Sequence, residues 1–124
     1  MGNRLKIKAK VLIIFNPDQH IFIGEPNLEM PEDMSIYDFL SVIFRISLKD
    51  DLQEALPFLL NYSKLFNYTQ KQFADRKQTL SNFSIKEKDI IVISMIPDEK
   101  LLIATIEKIL SSIDMTIFEI KHGS

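Results

Sequence analysis

Hydrophobic and polar positions alternate from the start of the chain. Leu5, Ile7, Ala9 and Val11 interleave with Arg4, Lys6, Lys8 and Lys10, and this period of two predicts a strand over residues 4–15 with one apolar and one basic face. The cluster Asn16-Pro17-Asp18-Gln19 is a turn, so residues 20–24 return as the second strand of a hairpin. Gly24, Pro26, Asn27 and Pro31 then break regular structure. Ser35 is placed to cap a helix, with Asp38 three residues on. Ile36, Phe39, Leu40, Ile43 and Phe44 form its apolar stripe, and it ends near Ser47. A polar connection at Lys49-Asp50-Asp51 leads to one further turn at residues 52–56, stopped by Pro57. Residues 58–62 and 64–68 read as two short strands, and residues 69–77 as a polar loop around Phe73. Residues 78–85 mix turn formers with Leu80, Phe83 and Ile85, and residues 86–89 form a charged turn. Residues 90–96 are almost continuously apolar and β-branched, the pattern of a central strand buried on both faces. Pro97-Asp98 starts a helix over residues 99–113, striped by Leu102, Ile106, Ile109, Leu110 and Ile113 and widened by Leu101 and Ile103. Residues 115–121 finish as a strand carrying Ile117, Phe118 and Ile120.

This order is α+β. With 124 residues and neither repeat nor linker, it predicts a single domain over 1–124, a core at 4–96 and a helix–strand extension at 97–121. A hydrophobic content of 46% is too high for a disordered chain. The absence of cysteine excludes a disulfide framework, a thiolate metal site and a cysteine nucleophile. A net charge of −2 lacks the basic excess of a nucleic-acid binder, so no nucleic-acid partner is expected. No apolar run approaches the length of a membrane span, and the run at 11–15 is too short for a secretory signal. Lys6 occupies the position where a myristoylation motif after Met1-Gly2 needs Ser or Thr. A cytoplasmic location without membrane insertion is the expectation.

Two segments carry a resemblance. Gln78-Thr79-Leu80-Ser81-Asn82-Phe83-Ser84-Ile85, followed by Lys86-Glu87-Lys88-Asp89 and Ile90-Ile91-Val92, resembles the segment before the last strand of ubiquitin. Met30-Pro31-Glu32-Asp33-Met34-Ser35-Ile36 resembles that family's start of the first helix. The similarity spans about residues 4–96 and implies a ubiquitin-like β-grasp fold, with a hairpin, a helix and a mixed sheet. Leu80 and Ile85 are then expected to plug the core from a loop, while Ser81 and Asn82 make local backbone bonds. The third strand aligns at Leu59-Leu60 or at Leu65-Phe66, and either register leaves an insertion of several residues. The sequence departs from the family at its end: no Gly-Gly pair follows the last strand, and glycine occurs only at positions 2, 24 and 123.

Catalytic chemistry has little to draw on. His20 and His122 are isolated, without the clustered ligands of a metal site. Asp50, Asp51 and Glu54 lie in a polar connection rather than a pocket that would split their pKa values. Ser41, Ser47 and Ser63 lack a nucleophile-elbow context, and there is no Gly-rich phosphate loop. No catalytic residue, cofactor or metal is expected. The resemblance implies instead a non-catalytic protein-interaction module or adaptor, such as an accessory subunit of a bacterial secretion machine. Its expected protein-binding residues are Leu60 or Phe66, according to register, with Ile91 and Ile93 of the last sheet strand. Lys6 and Lys8 of the basic face would meet an acidic partner. The C-terminal helix either packs on the sheet within the chain or pairs with a second copy as a homodimer. The alternative is a ubiquitin-like covalent modifier in which loss of Ser124 exposes Gly123, although Gly123-Ser124 equally resembles a cloning remnant.

Overall fold

A computed structural model describes residues 4–24 and 27–112. The first predicted strand is divided. β1 (Arg4–Ile7) and β2 (Lys10–Asn16) are separated at Lys8-Ala9, where the chain passes from one sheet to another. β2 turns into β3 (Gln19–Gly24) as the predicted hairpin, and the left-handed φ of +82° at Gly24 ends that strand. β1 pairs antiparallel with β4 (Leu28–Pro31), a strand in the stretch where breakers suggested none. Side-chain alternation explains why one strand seemed sufficient: Ile7, Ala9 and Val11 all stay buried across the break. Alternation reports which face a residue occupies and not which strand it pairs with. The crossing is fixed by backbone bonds, Lys88 N–H to Lys8 O at 3.2 Å and Lys10 N–H to Asp89 O at 2.8 Å.

α1 (Ile36–Ser47) forms where predicted, with the Ser35 hydroxyl accepting from Asp38 N–H at 3.1 Å. The strand predicted at 58–62 is a correction: a 3-10 segment (Asp50–Ala55) runs into the helix α2 (Leu56–Tyr62). Pro57 sits in the first turn of α2, where a missing N–H costs no helical bond, so it starts this helix rather than stopping the turn before it. At the other end Arg76 donates to the carbonyls of Asn61 at 2.8 Å and Ser63 at 2.6 Å. The third-strand register is thereby settled. Leu59 and Leu60 are helical, and β5 (Lys64–Asn67) carries Leu65 and Phe66. The loop after it contains the short β6 (Gln72–Phe73), whose Phe73 pairs with Phe66.

β7 (Ile90–Ser94) lies at the centre of a five-stranded sheet of order β3-β2-β7-β5-β6, parallel to β2 and antiparallel to β5. This order, with α1 packed on one face, is a β-grasp, the fold that the sequence resemblance implied. Residues 79–83 hold the start of α1 in place: Leu80 N–H donates to Met34 O, and Ser81 N–H to Glu32 O. Leu80 and Phe83 fill the core from this loop. Ile85 is only half-buried, so Phe83 takes the role expected of it. Asn82 makes its local bond through the backbone, its N–H donating to Thr79 O at 3.1 Å, and the Ser81 hydroxyl meets the Thr79 hydroxyl at 2.9 Å.

α3 (Glu99–Ser112) follows, with the Asp98 carboxylate accepting from Lys100 N–H at 3.0 Å. It packs on the sheet face opposite α1, where Leu102, Ile106 and Ile109 meet Leu12, Ile14, Phe66 and Val92. The sheet is therefore covered on both sides. The strand expected at 115–121, together with Ile113, lies outside the described residues.

Candidate functional site

Strand alternation sorts the expected binding residues. On β7, Ile91 and Ile93 point toward α1 and are 1% and 0% exposed, while Val92 points to the α3 side. Leu60 joins the same inner core from α2. Phe66 lies on the outer face, buried beneath α3 and stacked on Phe73 with ring centroids 4.4 Å apart. Of the six residues, Lys6 and Lys8 are the ones open to solvent. Lys6 lies in β1 opposite Glu29, whose carboxylate pairs with Arg4 at 3.7 Å, and Lys8 lies in the β1–β2 break. An exposed pair of this kind contributes little stability.

The other chemistry-bearing residues do not converge. His20 is exposed in β3, Asp50 and Glu54 are exposed on the 3-10 segment, and Ser63 is buried between α2 and β5. Among the described residues no cluster of three His, Asp or Glu groups is arranged to hold a metal ion. His122 lies outside the described residues.

One carboxylate is embedded. Asp89 is buried, and its Oδ2 accepts from Asn67 Nδ2 at 2.9 Å, Gln70 Nε2 at 2.7 Å and Lys86 N–H at 2.8 Å. Burial by itself raises the pKa of this group. The three hydrogen bonds and the Lys86 charge outweigh burial and hold the pKa below the ordinary carboxylate value. The donors come from the end of β5, from the turn after it and from the 84–89 segment, and Asn67 also donates to Ser84 O at 3.1 Å. The cluster fastens the 84–89 turn to the end of β5, so its role is structural.

Among the described residues, the two most exposed large apolar side chains lie together on α2. Phe58 and Tyr62 are 59% and 62% exposed on α2, with ring centroids 4.7 Å apart. Their i, i+4 spacing puts both on the solvent face of the helix while Leu59 and Leu60 anchor its inner face. Reading residues 58–62 as a strand hid this pair. The available signal was the same spacing placed after a proline suited to a helix start.

No protein-family model matches the sequence, and no curated protein matches it. Solved structures similar to the chain include the ubiquitin-like domain of an Arabidopsis thaliana protein, at 16% identity and a TM-score of 0.40 over 70% of this chain and 76% of that one. Another is the ubiquitin-like domain of yeast Ddi1, at 18% identity and a TM-score of 0.40 over 68% of this chain and 85% of that one.

Proposed function

We propose that the chain is a non-catalytic ubiquitin-like module that acts as an adaptor by binding a protein partner through the outer face of α2. One observation carries this reading: the exposed, mutually packed rings of Phe58 and Tyr62. Aromatic side chains at this exposure are costly to leave in water and are enriched where proteins meet. The segment 50–62 that presents them joins α1 to β5. The outer sheet face, by contrast, is occupied by α3. Lys6 and Lys8 add a basic strip that would select an acidic rim on a partner.

The test is capture of partners by the tagged chain and by the double variant Phe58→Ala/Tyr62→Ala, in parallel under native and denaturing conditions. Both side chains are exposed, so the variant keeps its fold. A partner retained natively by the unaltered chain and reduced about tenfold or more by the variant supports the adaptor. Undiminished capture by the variant would refute it. Adducts that survive denaturation and vanish with Gly123→Ala would make the protein a covalent modifier instead.

A further inference from the structure

A cleft of about 630 Å³ opens between the β2–β3 hairpin and the segment that joins α1 to α2. Phe15 and Ile21 form one wall, and Leu48, Leu52, Ala55 and Leu59 form the other. Asp18, Gln19 and His20 stand at the hairpin side. The volume falls within the roughly 300–1,000 Å³ typical of ligand clefts, and the lining has their usual composition, apolar walls with a few polar groups at one end.

Both walls are fixed in advance. Gln53 Nε2 donates to Leu48 O at 3.1 Å and to Arg45 O at 3.3 Å, tying the 3-10 segment to the end of α1. The hairpin is held by Asn16 Nδ2 to Gln19 Oε1 at 2.7 Å and by Asp18 N–H to Asn16 Oδ1 at 2.8 Å. A preformed site loses little ordering entropy when it is filled. Leu52 nevertheless stays 47% exposed at the cleft, an apolar side chain awaiting cover.

Charge decides what kind of cover. Asp18 is the lining carboxylate, and among the described residues no cation pairs with it. On the opposite segment Asp50 and Glu54 are exposed against Lys49, with Arg45 at the nearby end of α1. A fatty acid or other anionic head would meet Asp18 unfavourably, and a cationic neighbour would meet it favourably.

We infer that this cleft is a docking site for a peptide segment whose apolar anchor residues are flanked by Lys or Arg. The site is separate from the aromatic pair on the outer face of α2, and it stands whether or not that pair binds a partner.

The experiment uses the full chain labelled with ¹⁵N and titrated with a ten-residue peptide alternating pairs of Leu or Phe with pairs of Lys or Arg. Two comparison peptides replace the basic residues by Glu or the apolar residues by Ser. The expected result is amide shift changes concentrated at residues 18–21, 48–55 and 59, with no matching response to either comparison peptide. Ala55→Trp, which fills the cleft, and Leu52→Glu, at an exposed position that leaves the core intact, should each weaken binding about tenfold or more. Asp18→Asn should weaken it by a few-fold. Phe58→Ala/Tyr62→Ala should leave it unchanged, which separates this site from the adaptor surface. Shifts spread over residues away from the cleft, equal binding of the Ser or Glu peptides, or undiminished binding by both cleft variants would overturn the inference.

Discussion

The two faces of the sheet are buried in different ways. On the inner face α1, α2, the β1–β4 pair and the 79–83 loop all close on Ile13, Ile91 and Ile93. On the outer face one helix, joined through Pro97, covers Leu12, Ile14, Phe66 and Val92. Many elements with separate attachments make the inner layer a cooperative unit. The outer layer depends on the docking of a single element that follows the last strand. In a marginally stable protein, such an element opens at a lower free energy than the whole.

The largest expected effect lies in the inner layer. Phe44→Ala removes a fully buried ring from α1 and should cost about 3–5 kcal/mol, read as a lowered urea midpoint for every spectroscopic probe at once. Ile106→Ala deletes the most buried anchor of α3 and should cost about 2–4 kcal/mol of docking free energy. Its signature differs: amide exchange should accelerate across α3 and the outer face while α1 remains protected. If exchange instead rises equally in both layers, the two faces form one cooperative unit and the contrast fails.

The Asp89 cluster acts on the joint between the layers, because it positions the turn that enters β7. Asp89→Ala strands the donors of Asn67, Gln70 and Lys86 and should cost about 2 kcal/mol at neutral pH. The sign of its pH dependence follows from a folded pKa below the unfolded one. Its contribution is complete above the unfolded carboxylate value of about 4 and is lost as pH falls toward the folded value. Denaturation midpoints measured between about pH 6 and 2.5 should fall less steeply for Asp89→Asn than for the unaltered chain. The smallest effect belongs to Asp98→Ala. It removes the cap of α3 and should cost about 1 kcal/mol, confined to the exchange rates of the outer layer.

The sequence exposed the layers more readily than the joints. The stripe of α1, its Ser35 cap, the buried run that became β7 and the start of α3 after Asp98 follow from periodicity and capping, which are local properties. The division at Lys8-Ala9 was hidden because the same alternation continues through a change of pairing partner. The helix at 56–62 was hidden because Pro57 reads equally as a stop or a start, and Arg76, which closes its far end, is remote in sequence. Which face each β7 residue occupies depends on the strictness of strand alternation. Ile91 and Ile93 face α1 while Ile90 and Val92 face α3, and a one-residue change of register would exchange the two pairs. Nothing local in α3 specified whether its stripe would cover its own sheet or a second copy.

The closure of the outer face by α3 is the claim on which the placement of the interaction surface depends. Because the chain contains no cysteine, single thiols report burial without interference. We would measure maleimide labelling rates of Val92→Cys, beneath α3, and Phe58→Cys, on the exposed face of α2, under native conditions. The account predicts labelling of Phe58→Cys at close to the rate of a free thiol. Val92→Cys should be slower by about a hundredfold or more, which corresponds to an opening free energy of at least about 2.7 kcal/mol. Comparable rates at the two positions would mean that α3 leaves the outer face open, and the assignment of the interaction surface to the 50–62 segment would be contradicted.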